Sequence, residues 1–106
     1  IDLFDPMAEL EVTVQEAREQ IAADSETAIL DVREPFEIEK GKIEGSRRVD
    51  QELGNVIVRD WPRERQIIVY CEHGERSLRA TQYLKQQGFE NIRSLKGGYE
   101  AWSEAG

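Results

Sequence analysis

One cysteine lies in a short loop whose composition suits the binding of an anion. Cys71 follows the apolar run Gln66 to Tyr70 and precedes a segment with helical spacing. Six polar or small residues come directly after it: Glu72, His73, Gly74, Glu75, Arg76 and Ser77. A thiol at this junction faces free N–H groups of the loop and the positive end of a helix, and both favour an anion. The pattern therefore predicts a nucleophilic thiolate at Cys71, in a cradle that Gly74 lets curl inward and Arg76 closes.

Cys71 also has a simpler interpretation as a packing residue. Free cysteine is among the residue types most often buried, so an interior position alone would not imply chemistry. The chain has 1 cysteine and 1 histidine, which excludes an internal disulfide and a Cys/His zinc set. The loop context favours the nucleophile, and we expect no metal at this site.

The elements that position this loop alternate between strand-like and helix-like segments. Strands are predicted over four segments, of which the first and third are short apolar runs: Ala28 to Val32, Arg47 to Asp50, Gln66 to Tyr70 and Asn91 to Leu95. Caps, apolar spacing and glycine stops predict helices over five others: Thr13 to Ile21, Pro35 to Gly41, Leu53 to Trp61, Ser77 to Gln87 and Gly98 to Trp102. Strands that alternate with helices need crossover connections, which predict a parallel sheet with helices on both faces. The cysteine loop then lies at the carboxyl edge of the sheet, where such folds bind ligands.

The composition fits one domain with an ordinary hydrophobic core. The chain has 106 residues, of which 39% are hydrophobic and 34% charged. We expect residues 1–11 to be a tail or linker and residues 12–106 to form the domain. The formal net charge of −8 repels phosphate backbones and anionic lipid, so neither a nucleic acid nor a membrane is an expected partner. No apolar run approaches the roughly 20 residues of a membrane span, and we expect a cytoplasmic protein.

Several motifs follow one another along the chain in a fixed order. They are the segment Leu30 to Pro35, the loop Cys71 to Ser77 with its Cys-x-x-Gly-x-Arg-Ser pattern, and the segments Gly88 to Ile92 and Leu95 to Trp102. Together these motifs resemble the rhodanese homology domain. The resemblance extends over about Thr13 to Trp102. It implies a single α/β domain with a central parallel sheet of about five strands and helices on both faces.

The resemblance also implies a sulfurtransferase reaction. Cys71 would attack the outer sulfur of a donor and hold it as a persulfide, and the N–H groups of Glu72 to Ser77 would stabilise that anion. Arg76 would order the loop, and Asp31 with Arg33 would brace it through charge pairing, although a purely structural ion pair is an equal alternative. The implied cycle uses no cofactor. The implied partners are a small-molecule or protein sulfur donor and an acceptor that is a thiol or a sulfur-carrier protein.

Two carboxylates in the loop bear on the choice of donor. Glu72 and Glu75 stand where many relatives that use thiosulfate have a basic or neutral side chain. Thiosulfate is a dianion, which nearby carboxylates repel. We therefore expect thiosulfate to be a poorer donor than a persulfide. His73 has two open interpretations, an exposed loop side chain or a substrate contact.

Two other functions fit the same loop. A cysteine phosphatase or arsenate reductase of this fold uses a similar thiolate cradle, but its loop is one residue longer than the six residues from Cys71 to Arg76. A non-catalytic regulatory module of the family often lacks the cysteine, whereas this chain retains it. The segment Glu11 to Glu16 is also similar to rhodanese domains attached to enzymes that activate ubiquitin-like proteins.

Two glycines and several aromatic residues complete the set of residues for which the sequence predicts a role. Gly97 and Gly98 fit either a close backbone approach to the loop or a plain turn. Trp61, Tyr99 and Trp102 are expected to pack inside the domain rather than to stack on a ligand. Tyr83 is expected on the same side of its helix as Ala80 and Leu84.

Overall fold

Five parallel strands form one sheet at the centre of the protein. A computed structural model describes residues 9–106. The strands are Glu11–Val12 (β1), Ala28–Asp31 (β2), Arg47–Arg48 (β3), Ile67–Tyr70 (β4) and Ile92–Leu95 (β5). Their order across the sheet is β1-β5-β4-β2-β3, and every neighbouring pair is parallel. The prediction of a parallel sheet of about five strands is therefore confirmed.

Four helices connect successive strands as crossovers, and a fifth follows β5. They are Val14–Ala23 (α1), Pro35–Ile38 (α2), Gln51–Asp60 (α3), Glu75–Gln86 (α4) and Gly98–Glu104 (α5). The Thr13 side chain and Glu16 form the capping box that the sequence predicts for α1. Helix α3 begins two residues earlier than predicted because the side chain of Asp50 caps it by accepting a hydrogen bond from the Leu53 amide. Helix α2 ends at Ile38, short of the predicted stop at Gly41.

The first strand of the sheet begins at Glu11. Glu11, expected in a tail, belongs to β1 and lies opposite Ser94 of β5. The amide of Lys96 donates to the carbonyl of Val12, which extends this pairing. Residues 1–8 of the expected tail lie outside the described residues.

The core has two halves, one on each face of the sheet. One half contains Ala28, Leu30, Ile57, Ile67, Val69, Leu84, Phe89 and Ile92. The other contains Val12, Ala17, Ile29, Ile43, Ile68, Tyr70 and Leu95. Strand β4 contributes to both halves because successive side chains of a strand point to opposite faces. Helices α3 and α4 cover the first half and α1 covers the second, so helices lie on both faces as predicted.

Aromatic side chains follow the packing prediction with one exception. Trp61 packs against the first half of the core, and Tyr99 and Trp102 pack against the second. Tyr83, expected to face inward, is 52% exposed. Adjacent helical positions point in directions about 100° apart, so the inward position of Leu84 turns Tyr83 outward.

The parallel arrangement gathers three loops at one edge of the sheet. Strands β2, β4 and β5 are neighbours, and each ends at the same side. The loops that follow Asp31, Tyr70 and Leu95 therefore meet around Cys71. Within residues 9–106, no helix is long and apolar enough to cross a membrane.

Candidate active site

The loop after β4 wraps around the sulfur of Cys71. Gly74, with φ of 107°, turns the backbone in a left-handed conformation and starts α4. The amide of Gly74 donates to the Cys71 sulfur at 3.0 Å, and the amide of Ser77 donates at 3.4 Å. Helix α4 begins at Glu75, two residues before the predicted start, because the turn at Gly74 already aligns the first helical amides. Of the amides from Glu72 to Ser77 that the resemblance implied, those of Gly74 and Ser77 thus donate hydrogen bonds to the sulfur.

Two buried hydroxyl groups lie beneath the sulfur. The Ser77 hydroxyl oxygen is 3.4 Å from the Cys71 sulfur and 2.7 Å from the hydroxyl oxygen of Ser94. Both serines are fully buried. Ser94 comes from β5, and the sequence analysis did not select it because a lone serine in a strand carries no chemical signal of its own.

Opposing effects act on the acidity of Cys71. Burial raises the pKa of the thiol, while hydrogen bonds from the Ser77 hydroxyl and from the amides of Ser77, Gly74 and His73 lower it. The hydrogen bonds outweigh burial, so the pKa of Cys71 lies below its ordinary value. The thiolate, which is the nucleophilic form, is therefore favoured at this position.

The sulfur is covered by its own loop. Cys71 is 1% exposed, which fits a packing thiol as well as a nucleophile. Hydrogen bonding distinguishes the two, because several donors converge on this sulfur and together favour its charged form.

Helix α5 holds the carbonyl groups of the loop outward. The amide of Tyr99 donates to the Cys71 carbonyl at 2.8 Å, and the amide of Glu100 donates to the Glu72 carbonyl at 3.1 Å. Gly98 makes this approach possible, since a Cβ atom there would lie 2.5 Å from both carbonyl oxygens. Gly98 therefore serves a close backbone approach rather than a plain turn.

Arg33 is a buried cation that connects three segments around the loop. Its guanidinium group pairs with Asp31 at 2.8 Å and with Glu72 at 3.2 Å, and it donates to the carbonyls of Glu37 and Gly41. Burial lowers the pKa of Arg33, whereas hydrogen bonds with Asp31 and Glu72 raise it. These interactions together have the larger effect, so the pKa of Arg33 lies above its ordinary value. Glu72, which the sequence assigned to the cradle, thus attaches the loop to Arg33 through its side chain.

Arg76 anchors the beginning of α4 to α2. Its guanidinium group donates two hydrogen bonds to the Glu37 carboxylate, at 2.9 and 2.7 Å. These bonds are the largest cause that lowers the pKa of Glu37, to about 2. The positive charge of Arg76 is therefore shared with a carboxylate instead of being free for the sulfur. The sequence analysis missed Glu37. Its position three residues after Glu34 is also that of a residue in a helix cap, so the sequence gives no separate sign of a role at the site.

The remaining charged side chains of the loop point away from the sulfur or into solvent. The ring nitrogen Nδ1 of His73 lies 2.9 Å from a Glu100 carboxylate oxygen, and the His73 side chain is 61% exposed. This favours the first of its two interpretations, an exposed loop side chain. Glu75 is also exposed. Across residues 9–106, no cluster of three or more His, Cys, Asp or Glu side chains is arranged to hold a metal ion.

Comparison with known proteins identifies the family. The model of the rhodanese-like domain matches residues 13–105. A sulfurtransferase of Allochromatium vinosum is 36% identical over 92 residues, which cover 86% of each chain. Among solved structures, a rhodanese-related protein of Thermoplasma volcanium is 32% identical with a TM-score of 0.73, covering 92% of this chain and 93% of the other. A Rhodopseudomonas palustris protein described as a possible tyrosine phosphatase is 26% identical with a TM-score of 0.79, covering 92% and 83%. The chain belongs to the family of rhodanese-like domains.

Proposed function

We propose that this domain is a sulfurtransferase that carries sulfane sulfur as a persulfide on Cys71. The observation that supports this most directly is the convergence of the Gly74 and Ser77 amides and the Ser77 hydroxyl on one sulfur. Such donors stabilise a thiolate, and the same donors can stabilise negative charge that has moved onto a bound second sulfur. The sulfurtransferase name of a relative agrees with this chemistry.

The proposed cycle has two displacement steps. In the first, the Cys71 thiolate attacks the outer sulfur of the donor, a new S–S bond forms, and the donor leaves with the electron pair of the broken bond. In the second, a nucleophilic acceptor attacks the outer sulfur of the persulfide, and Cys71 leaves as a thiolate. No net oxidation occurs, and no cofactor is required.

The charged residues around the loop act as positioning groups in this proposal. Arg33 connects Glu72 to Asp31, and Arg76 connects the beginning of α4 to Glu37. Both arginines are paired with carboxylates, so neither offers an unpaired positive charge to the sulfur. Their role is to keep the loop amides directed at the sulfur, since a carboxylate pair fixes the orientation of a guanidinium group.

For the donor, we propose a persulfide rather than thiosulfate. The Glu72 carboxylate is paired with Arg33, so it contributes less repulsion than the sequence analysis expected. Repulsion of a dianion rests instead on the exposed Glu75 and on the net charge of −8. The proposed acceptor is a thiol or a sulfur-carrier protein. We also propose a cytoplasmic location, because a reactive lone thiol stays reduced there.

Mass spectrometry of the intact protein tests the proposal. Purified protein is incubated separately with thiosulfate, a small-molecule persulfide and a protein persulfide, and then analysed for the added mass of one sulfur atom. We expect this addition on Cys71, more completely with a persulfide than with thiosulfate, and none in a Cys71→Ser variant. Absence of sulfur uptake from every donor would contradict the proposal.

A phosphatase assay in parallel addresses the strongest rival. The similarity to a possible tyrosine phosphatase makes phosphate-ester hydrolysis the relevant alternative. The six residues from Cys71 to Arg76 form a loop one residue shorter than that rival uses. We expect no turnover of a phosphate ester. Turnover that depends on Cys71, without sulfur uptake, would assign the domain to the rival function.

A further inference from the structure

Ser94 is a buried polar residue in the interior of the sheet. It lies in β5, between β1 and β4, opposite Glu11 on one side and Val69 on the other. Its side chain is 0% exposed. Burying a hydroxyl group is unfavourable unless the group forms a hydrogen bond, so the partner of Ser94 determines what the residue does.

Among the described residues, the hydroxyl of Ser94 has one hydrogen-bond partner, the hydroxyl of Ser77 at 2.7 Å. The Ser77 oxygen has two further neighbours, the Gly74 carbonyl oxygen at 3.3 Å and the Cys71 sulfur at 3.4 Å. Each hydroxyl group has a single proton to donate. The direction of the bond between the serines therefore decides whether the proton of Ser77 is available to the sulfur.

Only one direction satisfies both hydroxyl groups. If Ser77 donated to Ser94, the proton of Ser94 would have no acceptor among the described residues, and the sulfur would lose a donor. If Ser94 donates to Ser77, the Ser77 proton is free for the sulfur or for the Gly74 carbonyl. A thiolate is the stronger acceptor of the two because it is charged.

We infer that Ser94 is a positioning residue that directs the hydroxyl proton of Ser77 toward the sulfur of Cys71. The effect on sulfur transfer rests on the proposed function, whereas the effect on the thiolate does not. In the transfer cycle, the benefit falls on the second step, in which Cys71 departs as a thiolate. A leaving thiolate of lower basicity departs faster.

The test measures how the rate of alkylation of Cys71 by iodoacetamide depends on pH. In Ser94→Ala, we expect the midpoint of the profile to move up by about 0.5 to 1 pH unit, as for loss of one hydrogen bond. Ser46→Ala is the matched control, because Ser46 is a buried serine that contacts the Tyr70 hydroxyl instead of the sulfur. Its midpoint should match that of the unmodified protein.

A double-mutant cycle distinguishes positioning through Ser77 from a general structural effect. We expect Ser94→Ala to leave the midpoint unchanged when Ser77→Ala is already present, because the group through which it acts is gone. A midpoint in Ser94→Ala equal to that of the unmodified protein would overturn the inference. So would a shift of equal size in both backgrounds.

A second pair of variants keeps the test valid if Ser94→Ala does not fold. Ser94→Thr and Ser94→Val have similar shapes, and both residue types suit a strand, but only threonine retains a hydroxyl group. We expect the alkylation midpoint of Ser94→Val to lie about 0.5 to 1 pH unit above that of Ser94→Thr. Equal midpoints for this pair would also overturn the inference.

The outcomes separate this inference from the proposed function. A shifted alkylation profile together with no sulfur uptake from any donor would retain the role of Ser94 and reject the sulfurtransferase. Sulfur uptake by the unmodified protein, together with an unshifted alkylation profile in Ser94→Ala, would support the sulfurtransferase and reject the role of Ser94. If both hold, discharge of the persulfide to a thiol acceptor should be slower in Ser94→Ala than in Ser46→Ala.

Discussion

At the scale of single residues, the site is organised by hydrogen bonds to one sulfur and by two ion-paired arginines around it. The sulfur of Cys71 is buried, yet its donors outweigh the effect of burial on its pKa. The two arginines differ in their surroundings. Arg33 is fully buried together with its partner Asp31, whereas the side chain of Arg76 is 38% exposed. Removing Asp31 would leave the buried charge of Arg33 with only the partly exposed Glu72 as a carboxylate partner, which costs more than the loss of an exposed pair.

The pair of Arg76 and Glu37 predicts a specific dependence of stability on pH. The folded state lowers the pKa of Glu37 to about 2, whereas an unfolded glutamate titrates near ~4.3. The pair therefore stabilises the fold fully above the unfolded pKa, and this contribution is lost as pH falls toward the folded value. Because Arg76 is partly exposed, we expect no more than about 1 kcal/mol at neutral pH.

Urea denaturation of Glu37→Gln at several pH values tests this expectation. The variant should be less stable than the unmodified protein near pH 7, and the difference should shrink between about pH 5 and pH 2. Glu19→Gln, at an exposed position of α1, is the control and should show no such trend. A difference in the free energy of unfolding that stays constant over this range would contradict the account.

At the scale of elements, the site depends on how the beginning of α5 meets the loop after β4. Two amides of α5 bind the carbonyls of Cys71 and Glu72, which leaves the amides of the loop free to face the sulfur. The prediction of strands and helices succeeded for these elements because apolar spacing and caps are local signals. The sequence left the contact between α5 and the loop undecided, because a pair of adjacent glycines fits a plain turn as well as a close backbone approach.

Substitution of Gly98 should disrupt both stability and reactivity. Gly98 has φ of 64°, and a Cβ atom would lie 2.5 Å from the carbonyl oxygens of Cys71 and Glu72. The left-handed conformation alone costs about 1 to 2 kcal/mol for alanine, and the clash adds to it. We expect Gly98→Ala to lose at least about 2 kcal/mol of unfolding free energy and to raise the midpoint of Cys71 alkylation.

Gly54→Ala is the matched control for this prediction. Gly54 lies inside α3, where a Cβ atom would make an ordinary contact of 3.8 Å with Val49. Alanine is the better helix former, so this variant should gain about 0.5 to 1 kcal/mol and keep the alkylation profile. Chemical denaturation and alkylation measure both properties. A Gly98→Ala variant that matches the unmodified protein in both would show that α5 does not hold the loop.

At the scale of the whole molecule, net charge influences which donors arrive at the site. The formal charge of −8 opposes the approach of anions over a distance set by the ionic strength. The polar residues at the site contribute little free positive charge, because Arg33 and Arg76 are both paired with carboxylates. In the proposed function, discrimination against anionic donors is thus expected to depend on the whole molecule as well as on Glu75.

Salt should therefore accelerate the reaction with thiosulfate. Between 0.01 M and 1 M potassium chloride the screening length falls from about 30 Å to about 3 Å. We expect kcat/KM for thiosulfate to rise at least about threefold over this range. A small persulfide with a net charge near zero is the control and should respond much less. A thiosulfate rate that is constant or falls with salt would contradict this role of the net charge.

The sequence by itself determined the elements and the place of Cys71 at the edge of the sheet. The alternation of strands and helices, the position of Cys71 after a buried strand and the turn at Gly74 all follow from signals that act over a few neighbouring residues. Tertiary structure alone decided which side chains meet. Glu37 and Arg76 are 39 positions apart, and Ser77 and Ser94 are 17 apart. Such contacts exist because the sheet places β2, β4 and β5 side by side, and that order brings together loops that are distant along the chain.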